Sequence, residues 1–459
     1  MYFLIDDLNP SVIQAEYAVR GKIVAEAAQI EQQLKAGKEF PFKSIAYLNI
    51  GNPQALGMPY QTMLREFIAL CMAPHILKTN TEAFNPDAVS RAKDFIKENP
   101  AGIGAYTNSL GFESVRKQVA GFIKNRDGYE AGEIFLSNGA SSAIRDVIQL
   151  ISGPEFHFFL PVPQYPLYSA ALALNSADYV NYYLDEENQW KVTDKELKRA
   201  YAAARHQPKA IILLNPSNPT GSILTQTELL EIIEFCHQHE IAILADEVYQ
   251  ENIYYGEFVS VKKALKVFEE TRKCQGPVVF SFHSVSKGYL GECGLRGGFM
   301  EVVNGSKGLM ENLRKLASIS LCSNTTGQLA VSMMVDPILN ATWKTEKESK
   351  LGLMKQKADK MSRLLNTQHM KCQPITGAMY AFPQIFLPAK FVQAHENPNL
   401  EWCVQLLRTR GVVGVPGNGF LQVAGTYHVS FSVLERAEKM DGLIASITEF
   451  HEELWKEWE

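Results

Sequence analysis

Between residues 130 and 302 short apolar runs alternate with amphipathic stretches, and this alternation constrains the fold more than any other feature of the chain. The runs are Glu133–Leu136, Phe156–Leu160, Tyr179–Tyr183, Ala210–Leu214, Ile241–Ala245, Val278–Phe282 and Gly298–Val302. Their near-continuous apolar character suits strands covered on both faces. That predicts an α/β fold with a mainly parallel, seven-stranded sheet and helices on each side. Such sheets bind ligands outside the carboxyl ends of their strands, so a polar motif directly after a run is a site candidate.

The remainder reads differently. Apolar and small positions at Val12, Ala15, Ala18, Val19, Ile23, Val24 and Ala27 predict a helix over 11–38. A Gly51-Asn52-Pro53 turn and a helix near Met63–Cys71 follow. From about 326 a long charged helix (Trp343–Leu365) precedes short strands at Ala378–Phe382, Val412–Val415 and Thr426–Phe431. A chain of 459 residues is too long for one core. The expected division is a large domain, 52–325, and a smaller α/β unit made of 1–51 and 326–459.

With 45 basic and 50 acidic residues the chain has no electrostatic footprint for nucleic acid or an anionic membrane. No apolar run approaches the roughly 20 residues that span a bilayer. The start, Met1–Ile5 followed by Asp6 and Asp7, carries no secretory leader pattern. Seven scattered cysteines without a CxxC pair suit reduced thiols, and the expected location is cytoplasmic. Cys236-His237-Gln238-His239 has no usual metal-ligand spacing, so no metal is expected.

Five motifs follow strands. Ser284-Val285-Ser286-Lys287-Gly288-Tyr289 puts a lysine where desolvation lowers an amine's pKa and makes it a nucleophile. Nine residues on, Arg296 lies among glycines, and its guanidinium suits a phosphate. Asn138-Gly139-Ala140-Ser141-Ser142 opens a helix whose free N–H groups form a phosphate cradle. Asp246 ends an apolar strand and needs a cationic partner; capping a helix is its other reading. Asn215–Gly221 and Pro163–Tyr168 are turns that present Asn218 and Tyr165.

In this order the motifs resemble the fold-type I aminotransferases dependent on pyridoxal 5'-phosphate (PLP), specifically the alanine aminotransferase-like branch. The resemblance runs from Tyr17–Val24 through Gly104-Ala105-Tyr106 and Gly291-Glu292-Cys293-Gly294 to Gly425-Thr426-Tyr427-His428. It implies that Lys287 holds the cofactor as a Schiff base and moves the Cα proton. Asp246 would pair with the pyridine nitrogen, Asn218 and Tyr249 with the ring hydroxyl, and Tyr165 would stack on the ring. Ala140, Ser141, Ser284 and Arg296 would hold the phosphate. Tyr106 would reach the site of a second copy, which implies a homodimer.

One position departs. Related enzymes carry a carboxylate-gripping arginine two residues after the histidine of Gly425–His428, and here Ser430 stands there. The loop Ser320–Thr326 also lacks the arginine and proline-rich turn of the branch. Period-two alternation puts Ser430 and His428 on one strand face. His428, or Arg410 or Arg436 from elsewhere, is therefore expected to take over part of the carboxylate binding, beside Asn218. The expected activity is amino-group transfer between an amino acid and a 2-oxo acid, in the manner of alanine and 2-oxoglutarate. Two alternatives accompany it. One is elimination, replacement or carbon–carbon bond formation on an unusual amino acid in specialised biosynthesis; the other is a non-catalytic dimeric binding protein.

Overall fold

The computed structural model describes residues 4–15, 21–153 and 155–459. Seven strands form the main sheet: β1 (Glu133–Ser137), β2 (His157–Val162), β3 (Asp178–Tyr183), β4 (Pro208–Leu214), β5 (Ala242–Asp246), β6 (Val279–Ser284) and β7 (Gly298–Val303). Their spatial order is β1-β7-β6-β5-β4-β2-β3. Each apolar run in the sequence is one of these strands. Strands β2 to β6 pair in parallel, and β7 runs antiparallel to both β1 and β6.

Alternate residues of each strand enter opposite cores, as the period of two requires. Phe158, Leu160, Ile212, Leu214, Phe280 and Phe282 pack with the helix Ala140–Ile151. Phe159, Ile211, Leu213, Ile243 and Val279 pack on the opposite side with the helices Gln226–Gln238 and Val261–Arg272. Near β1 and β7 that role passes to the helices Thr62–Met72, Glu113–Asp127 and Thr325–Val335. With both faces covered, the middle strands have no room for exposed polar residues. An ion pair in this layer, Lys262 to Glu301 at 2.8 Å, is wholly buried. It is tolerable because the Lys262 ammonium also donates to the Glu130 carbonyl at 2.7 Å.

The helix expected over 11–38 is two helices, Pro10–Gln14 and Lys22–Lys35. Ala15 already has extended ψ, and Gly21 caps the second helix in extended geometry, so no single helix runs through. Ala18, Val19 and the stretch Tyr17–Arg20 of the resemblance lie outside the described residues. The second helix sends Ile23, Ala27 and Ile30 into the core shared with Trp402, Leu406 and Ile447. In the carboxyl-terminal part a three-stranded sheet has the order Tyr380–Ala381, Val429–Ser432, Val415–Pro416. The helices Ala341–Leu364, Pro398–Arg410 and Ala437–Trp458 cover it. Among the described residues no helix is long and apolar enough to cross a membrane.

Candidate active site

A cavity of about 860 Å³ opens at the carboxyl ends of β4, β5 and β6. Asp246 is the last residue of β5 and Ser284 the last of β6. Parallel strands end side by side, so residues far apart in sequence meet here for topological reasons. Asn218 arrives on the turn after β4, and Lys287 on the turn after β6.

The Lys287 ammonium donates to the Gly51 carbonyl at 2.8 Å and lies 5.6 Å from the centre of the Tyr249 ring. The Asp246 carboxylate is buried and accepts from the Tyr168 hydroxyl at 2.8 Å and, at 3.4 Å, from the Val248 amide. Burial raises its pKa to about 6, although both hydrogen bonds and the charge of Lys287 pull the other way. Its neighbour Glu247 faces away. That carboxylate accepts from the Val261 amide at 2.8 Å and the Ser281 hydroxyl at 2.5 Å, and burial raises its pKa to about 7. Glu247 thereby ties the turn after β5 to β6 and to the helix behind it, which fixes the direction of Asp246.

At the other end of the cavity Arg296 has a left-handed backbone, φ +52°. Its guanidinium donates to the Ser286 hydroxyl at 3.2 Å, the Ser141 hydroxyl at 3.3 Å, and the Cys293 and Asn138 carbonyls. The helix Ala140–Ile151 points its amino-terminal N–H groups at the same place from Gly139, φ +76°. A Cβ at Gly139 would sit 2.4 Å from the guanidinium, so only glycine leaves the cradle open. Gly298 is equally constrained: its Cβ would lie 2.8 Å from the backbone of both Gly139 and His283.

These residues fit PLP. A buried carboxylate with a raised pKa gains from a cationic ring nitrogen, and the side-chain oxygen of Asn218 is buried without a hydrogen bond. A helix terminus joined to an arginine suits the phosphate. Lys287 is the amine within the cavity that an aldehyde would meet.

Of the residues assigned from sequence, Ala140, Ser141, Tyr165, Asn218, Asp246, Tyr249, Ser284, Lys287 and Arg296 line this cavity. Tyr106 does not; it is 78% exposed on the surface of the chain. The expectation for His428 needs correction. Its Nε2 pairs with Glu186 at 3.0 Å, its Nδ1 meets Gln422, and its ring stacks on Phe382 at 4.8 Å. Alternation assigns a strand face but not the layer covering it, and here that layer is protein. Ser430 is paired with Val415 inside the small sheet, buried, and outside the cavity lining. Arg410 is engaged by Glu453 at 2.6 Å, and Arg436 lies against Gly57. Neither lines the cavity. Sequence reasoning missed Asn49, Gly51, Ser286 and Tyr380, which do. Ser286 stood within a quoted motif, whereas Asn49 and Tyr380 carry no local signal.

A family model described as aminotransferase class I and II matches residues 77–447. Alanine aminotransferase 2 of Panicum miliaceum is 39% identical over 99% of this chain and 98% of its own length. Alanine aminotransferase 1 of Homo sapiens is 39% identical over 97% of this chain and 94% of its own. A solved alanine aminotransferase from Pyrococcus furiosus superposes with a TM-score of 0.79, covering 97% of this chain and all of that one at 22% identity. The cavity residues and these matches agree, and the chain is a PLP-dependent enzyme belonging to the class I and II aminotransferase family.

Proposed function

We propose that the chain transfers an amino group between an amino acid, or a close derivative, and a 2-oxo acid or related acceptor, in the manner of alanine and 2-oxoglutarate. The observation that carries this reading is the convergence of Lys287, Asp246 and Arg296 on one cavity. PLP, when bound, supplies an electron-withdrawing conjugated system that stabilises negative charge at the substrate Cα. The ε-amine of Lys287 takes and returns the proton at that carbon, a transfer that requires a neutral amine. Asp246 offers a fixed negative charge to a ring nitrogen, held in direction by Tyr168. Tyr249 and Asn218 offer hydrogen-bonding groups to the ring hydroxyl, while Arg296 and the helix at Ala140 anchor the phosphate.

The exposed ring of Tyr106 supports a homodimer in which it completes the partner's site. We assign the enzyme to the cytoplasm. Incubating the purified holoenzyme with L-alanine and following the cofactor's absorbance tests the reading. Loss of the imine band and its return with 2-oxoglutarate are expected, and an unchanged band with every amino compound tried would defeat it. One observation favours the alternative of a changed reaction on an unusual amino acid: among the described residues the cavity lining holds no cation beyond Lys287 and Arg296.

A further inference from the structure

The side chain of Asn49 is 4% exposed, lines the cavity, and has neither its Nδ2 nor its Oδ1 hydrogen-bonded. A buried primary amide with both ends unmatched is costly, and native interiors rarely keep one. Asn49 belongs to the segment whose Gly51 carbonyl receives the Lys287 ammonium, and Asn49 and Lys287 line the same cavity. A second unmatched acceptor, Oδ1 of Asn218, lines the same cavity, and the Ser432 hydroxyl on the adjoining strand is buried and unmatched as well.

The charges of the lining point the same way. Arg296 is turned to Ser141, Ser286 and two carbonyls at the phosphate end, and Lys287 is the reacting amine. No other cation lines the cavity among the described residues. A carboxylate placed against Asn49 would satisfy Nδ2 alone, because an ionised carboxylate only accepts. It would leave Oδ1 of Asn49 unmatched and, among the described residues, would lack a counter-ion in a desolvated place. A neutral group that donates and accepts matches both ends of Asn49.

We propose that Asn49 reads the group next to the reacting amine, and that the preferred substrates are 2-amino carboxamides rather than 2-amino carboxylates. This narrows the substrate of the transamination proposed above and rests on that reading. The chemistry balances without another reagent. The donor loses its Cα–H and Cα–N bonds and, taking oxygen from water, becomes a 2-oxo amide, a two-electron oxidation. The acceptor, a 2-oxo acid or 2-oxo amide, is reduced by the same two electrons to the amine. The carboxamide nitrogen takes no part.

The test uses the holoenzyme with L-alaninamide and L-alanine, following the cofactor's absorbance, together with calorimetric binding of lactamide and lactate, which have no amine to react. Alaninamide should exceed alanine at least about tenfold in kcat/KM, with the same preference for lactamide in Kd. Asn49→Ala should bring both ratios to within about threefold while keeping the imine band. A wild-type preference for alanine and lactate would overturn the assignment and leave transamination standing. Ratios unchanged in Asn49→Ala would remove Asn49 from the role. If neither amine alters the absorbance, transamination falls, and the lactamide-to-lactate ratio still decides the head group.

Discussion

At the residue scale the site depends on a few groups whose surroundings set their chemistry. Lys287 is the proton carrier in the proposed reaction, so Lys287→Ala should lower kcat by at least about a hundredfold and abolish the imine band, read by stopped-flow absorbance. Ser430 gives a second, independent prediction. If a missing guanidinium limits the use of simple amino acids, Ser430→Arg should raise kcat/KM for alanine about tenfold or more. An unchanged value with cofactor still bound would show that position 430 has no part in substrate choice. Lys287 and Asp246 are legible in the sequence because each follows an apolar run, where a sheet of this type opens, and Arg296 because glycines flank it a short way beyond Lys287. Asn49 is not legible. Its meaning comes from two missing hydrogen bonds, and a missing partner leaves no trace in the order of residues.

At the scale of elements, the cradle is held by backbone contacts more than by side chains. Gly298 opens β7 against Ser284 of β6, with Gly139 and His283 against its Cα. Gly298→Ala needs no unusual dihedral and has no room, so the loop at Gly139 must shift. PLP affinity should fall at least about tenfold, measured by titrating the apo enzyme and following fluorescence, because helix-terminus N–H groups bind only when aimed. The seven strands were readable because burial on both faces forces apolar runs on them. The small sheet was readable only in outline. Its strands are two to four residues long, too short for alternation to report which layer lies on top. That is why His428, on the expected face, turns out to pack on Phe382 and pair with Glu186.

For the molecule as a whole, the buried acids link cofactor binding to stability. Asp246 and Glu247 titrate near 6 and 7 in the folded chain, against roughly 4 when unfolded. Between those values the folded apo form binds more protons than the unfolded form, so rising pH destabilises it through this window. The Tm of apo enzyme should therefore drop from pH 5 to pH 8, and less so in Asp246→Asn. Added PLP should raise Tm more at pH 8 than at pH 5, since a cationic ring nitrogen favours the ionised carboxylate. Scanning calorimetry of the two apo forms checks the sign; equal slopes would place the titration elsewhere. Tyr106 belongs to this scale too. Tyr106→Phe should weaken PLP binding in the homodimer we propose, a change read by the same titration.

The reversed direction of β7 has a mechanical consequence. Because this strand begins at the edge where β6 ends, the one connection over residues 285–297 carries both the amine proposed to hold the cofactor's aldehyde and the guanidinium proposed to hold its phosphate. Lys287 follows closely on the end of β6 and Arg296 closely precedes β7, so the pairing of these two strands sets the distance between the two handles. Substrate range in such an enzyme is free to drift along the opposite wall, while the register of β6 against β7 must stay as it is.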